Sequence, residues 1–372
     1  MVSELSPKPL KGRTILIMAG GTGGHIFPAL AVADQLQQKG ANIVWLGTRY
    51  GIEKQHVTPQ FQLQYLHVRG IRQQRLWRKF LMPFSLIASI WQARRIIKQH
   101  QADLVIGFGG YVSGPGGIAA WMCRKPLFIH EQNAIVGWTN QQLARFAKQI
   151  FCGFPDAGFK TSAHQVQVVG NPIRLEISQQ RLKKKDFYAH DLNILVVGGS
   201  QGAEILNQVV PNTLKQLPES VCPNVWHQAG PKWAEATQQR YQQLQTESQV
   251  QVNAFIQDMA HAYAWAHIVI CRAGALTVSE LAAVGLPAIF VPFPSAVDDH
   301  QFHNAQQLVR AGGGVCIRQE HLTPEKLAAY WRMYYLDRSY LINQSQQAKQ
   351  WAKTQAAELI TNQVCKQLDQ KH

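Results

Sequence analysis

Residues 271–304 read CRAGALTVSELAAVGLPAIFVPFPSAVDDHQFHN, a βαβ spelling around which the rest of the chain is arranged. The run that leads into it, Ile268-Val269-Ile270-Cys271, has the length and unbroken hydrophobicity of a strand buried on both faces. Arg272-Ala273-Gly274-Ala275 turns the chain, a helical pattern runs from about Leu276 to Val284, and Gly285 with Pro287 stops it. Ala288 to Val291 is a second buried run. A strand, a crossover helix and a strand make a parallel pair whose connecting loop opens at the strands' carboxyl ends. The helix N-terminus at that loop offers unpaired N–H groups and a partial positive charge, a natural seat for a diphosphate.

Glu280, one turn into this helix, admits two readings. Its carboxylate suits a ribose diol one step beyond a diphosphate, as the acidic residue of dinucleotide folds does. Thr277-Val278-Ser279-Glu280 also spells the S/T-x-x-E capping box, in which Glu280 would only tie off its own helix. The loop after the second strand, PFPSAVDDHQFHN, collects Asp298, Asp299, His300, Gln301 and Asn304 at a strand's end, beside the same crevice.

Outward from this unit the pattern repeats. Thr14 to Met18 is a buried strand, followed by the loop Gly20-Gly21-Thr22-Gly23-Gly24-His25, a helix from about Phe27 to Gln38, and a strand over Ile43 to Leu46. The loop is not the dinucleotide fingerprint, because the third glycine required from Gly21 falls on Ile26, and no GxxxxGK[ST] occurs. Leu104 to Gly107 leads into GGYVSGPGG, and Leu127 to His130 ends in Glu131-Gln132-Asn133. Val166 to Gly170, Asn193 to Val197, Val225 to Gly230 and Val252 to Ile256 read as further strands. ILIMAGGTGGHI at 15–26 is echoed by ILVVGGSQGAEI at 194–205, so two similarly built α/β domains are expected in tandem. The boundary is placed at Asn171-Pro172: an N-terminal domain over residues 1–171, a C-terminal domain over 172–351, and a helix over about 352–372 that packs back on the first.

At 372 residues the chain exceeds one ordinary core, in keeping with two domains. The formal charge of +15 selects anionic partners: nucleic acid, an acidic membrane face or phosphorylated substrates. Glycine loops at strand ends and the lack of any base-reading motif argue against nucleic acid. The six cysteines form no CxxC pair or zinc spacing. No apolar run approaches the ~20 residues needed to cross a bilayer, so any membrane contact is peripheral. Arg72, Arg75, Arg78 and Lys79 interleave with Leu76, Trp77, Phe80, Leu81 and Phe84 ahead of a long amphipathic helix. Such a basic-aromatic lip suits a membrane interface; the alternative is that one face packs on the domain core.

GGTGGHIFPALAVA, GFGGYVSGPGG, HEQNAIVG, VVGNPIR, VVGGSQGA and CRAGALTVSE together resemble the MurG family of bacterial glycosyltransferases, over about residues 14 to 360. The resemblance implies the GT-B architecture, two Rossmann-like doubly wound α/β domains facing a cleft. It implies transfer of N-acetylglucosamine, with inversion, from UDP-N-acetylglucosamine to the muramyl 4-hydroxyl of undecaprenyl-pyrophosphoryl-N-acetylmuramyl-pentapeptide, lipid I to lipid II of peptidoglycan synthesis. A related transferase acting on diacylglycerol is the alternative, against which the HEQN and GGYVSGPGG loops speak. Donor contacts carried over from the family fall on Thr22, Gly23, Gly24, Asn133, Arg174, Ser200, Ile256, Ala275, Leu276, Thr277, Val278, Ser279, Glu280 and Gln301. His25 is the candidate base, with helix capping or phosphate binding as its alternative roles, and Glu131 is the second candidate for base or orienter. No cofactor or metal is expected, since the D-x-D of the other common glycosyltransferase fold is missing. The expected place of work is the cytoplasmic face of the bacterial inner membrane, on an anionic surface, with cell-wall assembly proteins as further expected partners.

Overall fold

The computed structural model of the chain describes residues 9–49, 53–57, 60–68, 82–161, 165–180, 185–188, 191–218, 220–221, 223–244 and 248–370. Two compact units divide it, Met1–Arg174 with Lys353–His372, and Leu175–Ala352.

The first unit runs β1 (Thr14–Met18), α1 (Gly23–Gln38), β2 (Asn42–Thr48), α2 (Glu53–His56), β3 (Gln62–Leu66), α3 (Met82–Gln99), β4 (Leu104–Gly107), α4 (Ser113–Met122), β5 (Leu127–Glu131), α5 (Trp138–Leu143), β6 (Gln149–Cys152) and β7 (Val166–Val168). Its strands form one parallel sheet in the order β3-β2-β1-β4-β5-β6-β7. The order reverses between β1 and β4, the switch point at which ligands bind in such sheets. The loops after these two strands meet there: Gly110, at φ +79°, comes so close to Gly20 that a Cβ would stand 2.3 Å from its carbonyl oxygen.

The second unit runs α6 (Leu175–Gln180), β8 (Asn193–Val197), α7 (Glu204–Leu214), β9 (Asn224–Gln228), α8 (Ala234–Gln242), β10 (Val250–Asn253), α9 (Met259–Trp265), β11 (Ile268–Cys271), α10 (Ala275–Val284), β12 (Ala288–Phe290), α11 (His300–Arg310), β13 (Gly314–Cys316), α12 (Pro324–Leu336) and α13 (Ser339–Trp351). Its sheet, again parallel, has the order β10-β9-β8-β11-β12-β13. The first strand of each unit thus lies between its second and the strand beyond the switch, which is the structural content of the sequence echo. After α13 the chain returns to the first unit. There α14 (Ala356–Asp369) packs on α1, and its Ile360, Val364 and Leu368 enter the core of Ile15, Ile17 and Trp45.

Helices cover both faces of each sheet, so strands such as Leu104–Gly107 and Ile268–Cys271 are buried at every residue. Two local expectations are corrected. The helix expected from Phe27 begins at Gly23, because extended Thr22 is the N-cap and its carbonyl takes the N–H groups of His25 and Ile26 at 3.1 and 3.2 Å. Pro28 therefore lies inside the helix. The strand expected to reach Ile256 ends at Asn253, and beyond it the Ile256 N–H turns to Gln228 Oε1 at 2.8 Å.

Among the described residues, two imidazoles are fully buried. Desolvation pushes His130, beside the Gly170 carbonyl at 3.0 Å, down to about 4, and His227, beside the Tyr241 hydroxyl at 2.9 Å, down to about 3. Below pH 6.5 the unfolded chain binds protons that these folded sites refuse. Stability is therefore complete above pH 6.5 and falls as the pH drops toward 4. Between pH 6.5 and 4.5 each group should cost about 2 kcal/mol or more. Urea midpoints of the wild type and His227→Gln at pH 7 and 4.5 check this: the variant should lose less on acidification, and an equal loss contradicts the assignment.

Candidate active site

The loops that follow β8 and β11 face a cavity of about 670 Å³ in the second unit. Val197 to Ile205 and Gln208 line it from one segment, and Arg272, Gly274, Thr277, Phe293, Gln301 and Gln319 from others. The glycine loop between β8 and α7 is tightly drawn. Gly202 has φ +77°, and a Cβ on it would stand 1.9 Å from the Ala229 carbonyl oxygen, so only glycine fits. Helices α7 and α10 both begin at this cavity. Their N-cap residues, Ala203 and Gly274, line it, and neither helix has a side-chain cap hydrogen bond. Glu204 stands in the first turn of α7, whereas the first turn of α10 carries no acid. The N-terminus of α10 is thus the better seat for an anion.

Three side chains fix these loops. The Arg272 guanidinium donates to the carbonyls of Val291 and Pro292 at 3.0 and 3.1 Å and to Gln319 Oε1 at 2.8 Å, and it lies over the Phe293 ring at 5.4 Å. Burial lowers its pKa to about 10, so at neutral pH it keeps its charge beside the α10 N-terminus. Gln301 Oε1 accepts from the N–H groups of Ala273 and Phe293 at 3.3 and 3.0 Å, which ties the loop after β11 to the loop after β12. Gln228 donates Nε2 to the Gly199 carbonyl at 2.9 Å and accepts the Ile256 N–H, which joins the glycine loop to the segment after β10.

Of the expected second-unit contacts, Ser200, Thr277 and Gln301 line the cavity. Ile256 is held behind it by Gln228, and Ala275, Leu276, Val278 and Ser279 build the helix that opens on it, with Ser279 Oγ donating to the Ala275 carbonyl. Of the polar group after β12, Asn304 is buried and donates to the Ala273 carbonyl at 3.2 Å, while Asp299 pairs with Arg318 at 2.8 Å. The capping-box reading of Glu280 does not hold. Helix α10 begins at Ala275, so Thr277 is its third residue and cannot be its N-cap. Glu280 is 3% exposed, and its Oε2 accepts the Tyr263 hydroxyl at 3.2 Å. Arg272, Gln228, Phe293, Gln319 and Tyr263 were not singled out from sequence, because each acts on a partner distant along the chain.

A second set gathers in the first unit. Thr22, Gly23, Gly24 and His25 form the cap and first turn of α1. The loop is propped from below by Glu53, a fully buried carboxylate whose Oε1 accepts from Gly21 N–H at 3.2 Å and from Thr48 N–H and hydroxyl at 2.9 Å each. The His25 ring lies against Gly109, where a Cβ would come within 2.6 Å of it. The Arg174 guanidinium sits 5.0 Å over the Phe27 ring, which brings it to the same helix end. Glu131, at the end of β5 and 3% exposed, accepts four hydrogen bonds: Asn133 N–H at 3.0 Å and Nδ2 at 3.1 Å on Oε1, Gly137 N–H at 3.1 Å and Asn140 Nδ2 at 2.8 Å on Oε2.

Arg72, Arg75, Leu76, Trp77, Arg78, Lys79, Phe80 and Leu81 of the basic-aromatic lip lie outside the described residues. Phe84 is within them and 71% exposed. It begins a stripe on α3 with Ile87 and Trp91, 53% and 55% exposed, at the i, i+3, i+7 spacing of one helix face. Ser89, Ala93 and Ile97 on another face of the helix are buried. Among the described residues no helix is long and apolar enough to cross a membrane.

The model of the glycosyltransferase family 28 N-terminal domain matches residues 15–152, and that of the family's C-terminal domain matches residues 193–362. A Coxiella burnetii protein named UDP-N-acetylglucosamine–N-acetylmuramyl-(pentapeptide) pyrophosphoryl-undecaprenol N-acetylglucosamine transferase is 45% identical over 354 residues, 95% of this chain and 98% of its own. A Shewanella denitrificans protein of the same name is 45% identical over 96% of this chain and 97% of its own. The crystal structure of Acinetobacter baumannii MurG superposes with a TM-score of 0.80 at 40% identity, over 95% of this chain and 99% of that one. The chain is therefore a glycosyltransferase of family 28 and belongs to its MurG family.

Proposed function

We propose that this chain transfers N-acetylglucosamine from UDP-N-acetylglucosamine to the muramyl 4-hydroxyl of undecaprenyl-pyrophosphoryl-N-acetylmuramyl-pentapeptide, making lipid II from lipid I in peptidoglycan synthesis. The observation that carries the chemistry is the second-unit cavity, where two helices without side-chain caps open beside a glycine loop and a half-buried arginine. A nucleoside diphosphate fits that chemistry. Its phosphates face the α10 N–H groups, and the positive potential there favours the charge that grows as UDP departs.

In this reading the acceptor oxygen attacks the anomeric carbon from the side opposite the diphosphate. The carbon–oxygen bond to phosphate breaks, UDP leaves with the electron pair, and the anomeric configuration inverts. His25 takes the hydroxyl proton. Glu131 is an orienter in this scheme, because four donors already occupy its two oxygens. It sets the loop from Asn133 to Gly137 and leaves the proton to His25.

The acceptor's polyprenyl tail stays in the bilayer, so the enzyme works at the cytoplasmic face of the inner membrane. The exposed stripe Phe84, Ile87 and Trp91 supplies an apolar contact, and the charge of +15 favours anionic headgroups. Donor binding is tested by calorimetric titration with UDP in EDTA, and with a single-stranded oligonucleotide at the same ionic strength. UDP should bind saturably without metal and the oligonucleotide should not. Binding of UDP only after a divalent metal is restored, or preference for the oligonucleotide, contradicts this reading.

A further inference from the structure

Tyr263 lies on α9, a short helix held at both ends. At its start, Asp258 Oδ1 accepts the His261 N–H at 2.8 Å. At its end, Lys185 Nζ donates to the carbonyls of Tyr263 and Ala264 at 2.8 and 3.0 Å, and also to that of Ala266. The Tyr263 side chain is 2% exposed and reaches across to α10, where its hydroxyl donates to Glu280 Oε2. Glu280 is the acidic residue of a helix whose neighbouring residues Val278, Leu281, Ala282 and Ala283 are core. A carboxylate placed there loses hydration, and the capping role that would account for it is excluded by the start of the helix at Ala275.

We infer that Tyr263 is a positioning residue for the donor's ribose: its hydroxyl holds the Glu280 carboxylate in the one orientation that accepts the ribose diol. The inference rests on the reading of Glu280 as the ribose-holding residue. A carboxylate has about four acceptor sites, and the phenol takes one of those on Oε2. A glutamate side chain is rotamer-rich, and fixing it before the donor arrives removes an ordering cost from binding. The clamped helix makes Tyr263 a rigid post for that purpose.

The test compares UDP with 2′,3′-dideoxy-UDP, which lacks both ribose hydroxyls, on the wild type, Tyr263→Phe and Glu280→Ala. Tyr263→Phe removes one oxygen and leaves the ring's packing in place, and its melting temperature is recorded beside each Kd. The wild type should bind UDP at least about tenfold more tightly than the dideoxy compound, as expected for hydrogen bonds to a charged group. In Tyr263→Phe that ratio should shrink to about threefold or less, through weaker UDP binding alone, with a near-normal melting temperature and kcat at saturating donor. Glu280→Ala should abolish the ratio. If Tyr263→Phe keeps the full ratio while Glu280→Ala loses it, the ribose reading of Glu280 stands and Tyr263 is only structural. If the wild type shows no preference, or Glu280→Ala keeps it, the ribose reading itself fails and the inference falls with it.

Discussion

His25→Ala should lower kcat by about 100- to 10,000-fold while changing the Kd for UDP by less than about threefold. The imidazole stands in the first turn of α1, at the switch point of the first sheet, where loop ligands are expected. It is not the helix cap, since Thr22 occupies that position without a side-chain bond. Two roles then remain, proton acceptor and phosphate contact, and they separate by which constant moves. A base is needed only as the acceptor oxygen attacks, so its loss falls on kcat. A phosphate contact already exists in the donor complex, so its loss falls on Kd. Gly109→Ala is the companion variant. Its Cβ would intrude to 2.6 Å from the ring, so it should lower kcat in the same direction with the imidazole still present. Single-turnover kinetics and UDP calorimetry on both variants check this. Near-normal turnover in His25→Ala would remove the residue from the chemistry.

Replacing Phe84, Ile87 and Trp91 together by serine should cut binding to anionic liposomes by tenfold or more and leave UDP affinity unchanged. Each buried large apolar side chain contributes roughly 1.5–3 kcal/mol, so three on one stripe account for a large loss when removed together. The three side chains are 71%, 53% and 55% exposed, so the substitution removes little from the folded core. Wild-type binding should also require anionic lipid and weaken with salt. Cosedimentation with vesicles, beside a melting curve, is the measurement. Unchanged liposome binding in a folded variant would place the membrane contact elsewhere.

The fold was legible because parallel strands covered on both faces must be apolar at every position. Ile268–Cys271 and Leu104–Gly107 are such runs, and each is punctuated by glycines. The strand order was not legible: that β1 lies between β2 and β4 depends on how crossovers pack, and no local pattern encodes it. The start of α1 was misjudged because two glycines are poor helix formers and Pro28 suggests a first turn. The backbone geometry of Thr22 decided otherwise. Thr277-x-x-Glu280 has the spelling of a capping box, but a box needs its threonine outside the helix, and extended Gly274 is the N-cap that starts the helix earlier.

At the candidate site, the glycine loops could be read because positive φ and close backbone approach select glycine, as at Gly202 and Gly110. The residues that hold those loops could not. Gln228 serves Gly199 and Ile256, Arg272 serves Pro292 and Gln319, and Glu53 serves Gly21. Each of these contacts spans 20 or more residues in sequence and arises only when the sheet brings the ends of different strands together. The sequence puts the whole polar group after β12 beside one crevice. Instead it divides, with Gln301 on the cavity wall, Asn304 buried beneath and Asp299 turned to Arg318.

The most direct measurement is transfer of labelled N-acetylglucosamine from UDP-N-acetylglucosamine, by the purified full-length chain, to a lipid-linked muramyl-pentapeptide in anionic vesicles, with diacylglycerol vesicles in parallel. Label should appear as a lipid-linked disaccharide in the first reaction and not in the second. Transfer to diacylglycerol, or no transfer to the muramyl lipid by a chain that binds UDP, would contradict the proposed function.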